Sequence, residues 1–192
     1  MPTPARTSLE EIVQVSRSIV EADGLERLTM QRVARAVGVK APSLYKHVRN
    51  RDALVRLVVE GAARELTETL DAAARTGDPL ADLRSLVHAV RAYAHANPAA
   101  YGLLFAHLPA EARPDRDSLG RASAAVLRTT TTLVGPELAL EAARMVVAWA
   151  HGFISMELAN AFRLGGDLDR AYAFGIERLG AALALSAPSP NK

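Results

Sequence analysis

The sequence predicts an all-α protein in two helical parts, and three observations carry that prediction. Alanine, leucine, arginine and glutamate, all good helix formers, are abundant. Apolar residues recur at spacings of three and four, and β-branched residues seldom alternate with polar ones over a strand's length. Glycine and proline then punctuate the helical stretches, at 24, 38, 77–79, 135–136 and 165–166. With 49% hydrophobic residues, the 192-residue chain can bury a core without disulfides or metals. The predicted division is an N-terminal domain over 1–54, a larger helical domain over 55–186 and a disordered tail, APSPNK, over 187–192.

Each helix has its own signals. Ser8 caps the first, with Glu11 three residues on, and Ile12, Val15, Ser16, Ile19 and Val20 form its buried stripe. Gly24 ends it in a left-handed conformation. Thr29 caps a short second helix over 30–37, and Gly38 terminates it. A third starts near Pro42, a residue tolerated in a first turn, and runs to about 48. Asn50 caps a long fourth helix over 51–75, with Gly61 in its middle. Further helices are expected over 80–97, 99–105, 118–134, 137–164 and 167–185, with an exposed loop over 108–117.

Composition removes whole classes of function. The chain has no cysteine, so disulfides, thiolate zinc sites and cysteine nucleophiles are excluded. Neither a signal-peptide pattern nor a membrane-length apolar run occurs, which sets the expectation of a cytoplasmic protein without a membrane partner. Net charge is +2, but it is unevenly placed. Residues 27–51 hold seven basic side chains (Arg27, Arg32, Arg35, Lys40, Lys46, Arg49, Arg51) and no acidic one. Residues 1–60 carry ten Lys/Arg against seven Asp/Glu, and residues 61–192 carry thirteen against fourteen. A basic segment beside a near-neutral body suggests a local surface for a polyanion, the alternative being a solvated basic face with no partner.

Two short helices joined by a glycine turn, packed beneath a first helix, make a helix-turn-helix. In that arrangement Val33, Ala34, Val37, Val39 and Leu44 face inward, and Lys40, Ala41, Ser43, Tyr45, Lys46 and His47 face outward. The N-terminal part of the second short helix would meet base edges in a major groove. Ser43 suits hydrogen bonds to bases and Ala41 suits a thymine methyl, while Tyr45, Lys46, His47, Arg49 and Arg51 suit phosphates. Packing of Tyr45 and His47 against a neighbouring helix is the competing reading.

Over residues 8–56, with its signature in 24–54, the chain resembles the TetR family of regulators. The match is carried by Thr29 opening the second helix, the Ala34-Arg35-Ala36-Val37-Gly38-Val39 turn, Leu44-Tyr45-Lys46-His47-Val48 and the Asn50-Arg51 start of the fourth helix. The resemblance implies that Met30, Gln31, Ala41, Pro42, Ser43, Tyr45, His47 and Arg51 approach a double-stranded operator; Thr29, Lys40 and Lys46 are further DNA contacts expected from the segment itself. Many family members have bulkier polar residues at the positions of Met30 and Ala41, so van der Waals readout is expected there.

In the second domain, the segment 146–158 is apolar on more than one face, which suggests burial on opposite sides. Met145, Trp149, Gly152 and Met156 make one stripe, and Val147, His151, Ile154 and Leu158 another. The last helix carries small residues, Ala171, Gly175 and Ala182, that permit close approach. Together the last two helices are expected to form a two-fold homodimer interface. Trp149-Ala150-His151-Gly152 resembles the Trp-His-Gly class of TetR C-terminal domains. That resemblance implies a small-molecule cavity with Tyr93, Tyr101, Phe105, Met145, Trp149 and Phe153 as lining candidates and His88 or His151 as further ones, ordinary core packing being the competing reading for each. The expected function is a repressor released by a small-molecule effector. No catalytic residue, cofactor or metal is expected: His88 and His95 lie on one helical face with no carboxylate at ligand spacing. Two rival readings are a helical enzyme around His88, His151 and Glu157, which lacks any nucleophile, phosphate-loop or redox motif, and a purely structural helical dimer.

Overall fold

Helix α1 (Leu9–Asp23) starts where the Ser8 hydroxyl oxygen accepts the Glu11 amide at 3.1 Å, satisfying one of the amides that a helix start leaves open. In this computed structural model, which describes residues 7–186, α1 buries Ile12, Ser16, Ile19 and Val20, four residues of the expected stripe. Ser16 is tolerated there because its hydroxyl donates to the Ile12 carbonyl at 2.7 Å. Gly24 ends α1 at φ +82° and ψ 165°, a positive-φ extended geometry rather than the expected left-handed helical one.

The remaining elements are α2 (Met30–Ala36), α3 (Ala41–Leu44), α4 (Arg51–Ala73), α5 (Pro79–Ala96), α6 (Pro98–Phe105), α7 (Arg116–Val134), α8 (Ala139–Leu158) and α9 (Leu168–Leu185). Among the described residues there is no strand. Three expectations are corrected. The third helix stops at Leu44, and residues 45–47 continue as a turn. Helix α8 ends at Leu158 instead of 164, because Asn160 takes φ +51° and the amides of Asn160 and Ala161 turn back to the carbonyls of Glu157 and Met156. The stretch 108–117 is not simply an exposed loop: Leu108 and Ala112 are buried, and Ala110–Ala112 forms a 3-10 turn. The tail expected over 187–192 lies outside the described residues.

The chain packs as two compact units, residues 7–64 with 97–119 and residues 65–96 with 120–186. This packing division cuts the chain elsewhere than the boundary expected after residue 54, and α4 contributes residues to both units. In the first unit, Ile12, Val20, Leu28, Val33, Leu44, Val48, Leu54 and Val58 share a core with Leu103, Leu108 and Ala112. Glu21 from α1 caps α6 there, accepting the Ala99 and Ala100 amides at 3.0 and 2.9 Å.

The second unit is organised around Tyr172 of α9. It is fully buried, its hydroxyl donates to the Val87 carbonyl of α5 at 2.9 Å, and the Trp149 indole of α8 stacks on it at 5.0 Å. Gly175 lets α9 approach that indole: a Cβ there would lie 2.2 Å from Trp149 Cζ2. Its small size therefore serves packing within the chain.

Candidate nucleic-acid interface

The α2–α3 corner is built by backbone chemistry that glycine permits. Thr29 Oγ1 accepts the Arg32 amide at 3.2 Å and starts α2. At the other end Gly38 adopts φ +72°, the Val39 amide donates to the Ala34 carbonyl at 2.9 Å, and the Gly38 amide donates to Arg35 at 3.2 Å. That pair of bonds closes the helix and redirects the chain, and a side chain at 38 would be strained in this conformation. Val37 and Val39 pack against the core on either side of it. Pro42 sits in the first turn of α3, where no amide hydrogen is missed.

Burial then sorts the α3 segment into two sides. Leu44 and Val48 are buried in the core, whereas Pro42, Ser43, Tyr45, Lys46 and His47 are exposed and Ala41 is half-buried. Tyr45, at 51% exposure, does not pack against a neighbouring helix as a core aromatic would. Thr29, Gln31 and Lys40 are exposed as well. Among the described residues no ion pair engages Arg27, Arg35, Lys40 or Lys46. Arg32 pairs with Asp23, and Arg49 lies 3.2 Å from Glu111. Exposed cations and hydroxyls on one projecting segment are the chemistry that phosphates and base edges require.

Two residues assigned to this surface by the sequence belong elsewhere. Met30 is only 8% exposed and packs in the core of the first unit, so it offers no side chain for readout. Arg51 turns inward: its Nε donates to the Leu28 carbonyl at 2.7 Å and a terminal nitrogen to Leu25 at 2.8 Å. It clamps the 3-10 turn Leu25–Arg27 to the start of α4 and is not poised for a phosphate.

The six expected lining residues divide between the two units. Tyr101 and Phe105 belong to the first unit, with rings 5.2 Å apart, and burial pushes the Tyr101 phenol well above its ordinary pKa. Tyr93, Met145, Trp149 and Phe153 belong to the second. Trp149 and Phe153 pack on Tyr172, Tyr93 is buried, and Met145 is exposed beside a groove of about 290 Å³ that none of the other five lines. A separate open hollow of about 530 Å³ is lined by His88, Arg91, Ala92, His95 and Asp169.

The charged group at that hollow was missed by sequence reasoning. Arg91 Nε and a terminal nitrogen meet the two Glu157 oxygens at 2.8 and 2.5 Å, its other terminal nitrogen meets Asp169 at 2.7 Å, and its guanidinium lies 4.9 Å above the Tyr172 ring centroid. His95 Nε2 lies 3.0 Å from Glu157. Arg91 foremost holds the Glu157 carboxyl down at about 2, and burial pushes the His151 imidazole below its ordinary value. Glu157 is thereby held in an ion pair with Arg91. Among the described residues no His, Asp and Glu cluster could hold a metal ion, and no helix is long and apolar enough to cross a membrane.

Comparison with known proteins gives concordant matches for both parts. Residues 12–58 match the model of bacterial regulatory proteins of the tetR family, and residues 83–179 match that of the tetracyclin repressor-like C-terminal domain. An uncharacterised HTH-type transcriptional regulator of Mycobacterium tuberculosis, Rv0681, is 28% identical over 94% of this chain and 83% of its own length. The class E tetracycline repressor protein of Escherichia coli is 34% identical over 29% of this chain, a match spanning 26% of that repressor. Two solved structures share the fold. A protein of unknown function from Rhodococcus sp. RHA1 has a TM-score of 0.81 at 21% identity, over 96% of this chain and 100% of that one. A TetR variant from Acinetobacter baumannii in complex with minocycline has a TM-score of 0.72 at 19% identity, over 95% and 99%.

Proposed function

We propose, for a chain that belongs to the TetR family of DNA-binding transcriptional regulators, that it is a cytoplasmic repressor whose two copies seat α3 in successive major grooves of a palindromic operator until a small molecule releases them. One observation carries the reading. Leu44 and Val48 anchor the α3 segment while Pro42, Ser43, Tyr45, Lys46 and His47 project from it, inside a 25-residue window without an acidic residue. Ser43 is assigned to base edges together with Thr29 and Gln31, Ala41 to a thymine methyl, and Tyr45, His47, Lys40 and Lys46 to phosphates. Met30 and Arg51 support this surface from within.

Dimerisation is assigned to α8 and α9. Met145, Val147 and Met156 on α8, and Phe174 and Leu185 on α9, are large apolar side chains left exposed in the single chain. A self-complementary four-helix contact would cover such a surface in both copies. The effector is assigned to the second unit, at the hollow whose His88 and Arg91 touch Tyr172 and, through it, Trp149 and Phe153. The Arg91 nitrogens are already satisfied by Glu157 and Asp169, so the hollow suits a neutral or cationic hydrogen-bonding molecule better than an anion. Such a molecule lowers operator affinity by the ratio of its affinities for the two states of the protein.

The test is a fluorescence-anisotropy titration of duplex DNA from upstream of the chain's own gene, with wild type and Tyr45→Ala. Wild type is expected to saturate at two protomers per site, and the variant to bind about tenfold more weakly, as for a lost hydrogen bond to a charged group. Equal affinity of the two proteins removes Tyr45 from the interface, and failure of the wild type to bind upstream DNA rejects the operator reading.

A further inference from the structure

Leu108 and Ala112 are buried in the same core as Leu44 and Val48. They fix the 3-10 turn Ala110–Ala112 to the first unit and leave Glu111 exposed at the corner between α3 and α4. There Glu111 Oε2 accepts from Asn50 Nδ2 at 3.1 Å and lies 3.2 Å from the Arg49 guanidinium. The other end of the Asn50 amide is in use as well, its oxygen accepting the Ala53 amide at 2.8 Å to start α4. One carboxylate, 61 residues away in sequence, therefore orients the cap of α4 and engages a cation three residues past Lys46.

We infer that Glu111 is an internal counter-ion of the DNA-binding surface, occupying Arg49 in place of a phosphate and so limiting how tightly the head grips DNA. The inference rests on the operator reading above. Both side chains are more than half exposed, at 70% and 54%, so the pair is weak and screened and sets affinity, not folding. Salt dependence of DNA binding counts the phosphates that a protein neutralises, and an arginine held by a carboxylate adds less to that count. The carboxylate also repels nearby phosphates.

Glu111→Gln separates this role from bracing, since its amide oxygen can still accept from Asn50 Nδ2 while the charge is gone. The probe is a random-sequence duplex of about 30 base pairs, titrated between about 50 and 200 mM salt, because the electrostatic contribution is independent of sequence. E111Q is expected to bind on the order of threefold more tightly at low salt. Its log–log salt slope is expected to be steeper by about 0.9 for each Arg49 that gains a phosphate. Adding Arg49→Ala to E111Q should erase both gains, whereas Arg49→Ala alone should move the slope less. Unchanged or weaker binding by E111Q, with the melting temperature preserved, overturns the counter-ion role. Weaker binding by Glu111→Ala together with unchanged binding by E111Q is the signature of a brace and overturns it as well. Wild-type protein that ignores the duplex rejects the operator reading together with this one; wild-type binding with an unaltered slope in E111Q rejects this one only.

Discussion

In the unit that carries α2 and α3, Lys40 and Lys46 stand exposed with no ion pair among the described residues. In the unit that carries α8 and α9, Arg91 is 15% exposed and every guanidinium nitrogen meets a carboxylate oxygen. A cation left in water without a partner adds little to folding and keeps its attraction for an external anion. A cation withdrawn from water must be paired, and the pair then ties together the elements that carry it. Arg91 joins α5 to Glu157 of α8 and Asp169 of α9 in this way. Lys40 and Lys46 of the first unit face outward, into solvent, and Arg91 of the second faces inward, towards architecture.

The sharpest way to break this contrast is Glu157→Ala. It leaves Arg91 largely buried with only the exposed Asp169 as partner, and loss of one member of such a pair costs about 3 kcal/mol. Urea unfolding measures it, and an unchanged midpoint would mean that the second unit does not depend on its internal charges. The same pair predicts a pH dependence. Arg91 lowers the Glu157 pKa from 4.5 to about 2, so the folded state binds a proton there less readily than the unfolded chain does. The stabilisation is therefore complete above about pH 4.5 and fades as pH falls towards 2. Glu157→Gln should flatten this part of the stability profile.

How much of each unit was legible follows from how far apart its partners lie. The caps at Ser8, Thr29 and Asn50, the glycine turn and the inward set around Leu44 all act within a few residues, and sequence spacing exposes them. Met30 and Arg51 escape such a reading because what decides them is not local: Met30 is claimed by a core that includes Leu103 and Leu108, and Arg51 by carbonyls 23 and 26 residues earlier. In the second unit the deciding contacts span 66 residues for Arg91 and Glu157 and 85 for Tyr172 and Val87. Periodicity carries no information on such pairs. It does place Tyr172 in line with Ile176, Gly180 and Leu183, the buried face of α9, a signal that is lost when aromatic residues are sought only as cavity markers. Spacing along one helix likewise does not reveal the Glu157 carboxylate that lies beside His95.

Arg51→Ala is the next largest expected effect and tests the one basic residue of the 27–51 window that follows the second unit's rule. Removing its two hydrogen bonds to the Leu25 and Leu28 carbonyls should cost about 2 kcal/mol. Arg51→Lys keeps the charge but lacks the planar fork that reaches both carbonyls, so it should lose part of that stability. Thermal melting reads the loss, and DNA titration well below the melting temperature should show both variants binding nearly as well as wild type. A variant that melts normally but no longer binds would return Arg51 to the DNA surface.

The smallest expected change in stability is at Lys46, where the contrast is cleanest. Its side chain is exposed and unpaired among the described residues, so Lys46→Ala should shift unfolding by no more than about 0.5 kcal/mol. DNA binding should respond instead. A lysine that meets a phosphate neutralises one charge wherever the protein sits, so the variant should weaken binding to upstream and random duplex alike. Its salt slope should be shallower by about 0.9 for each phosphate left without its lysine. The ratio of the two affinities should stay constant, because phosphates position a protein without reading sequence. If that ratio changes, Lys46 touches a base edge and the α3 segment enters the groove more deeply than assigned. If Lys46→Ala instead melts early while binding is unchanged, the outward cations of the first unit hold its fold just as Arg91 holds the second, and the two units no longer differ in kind.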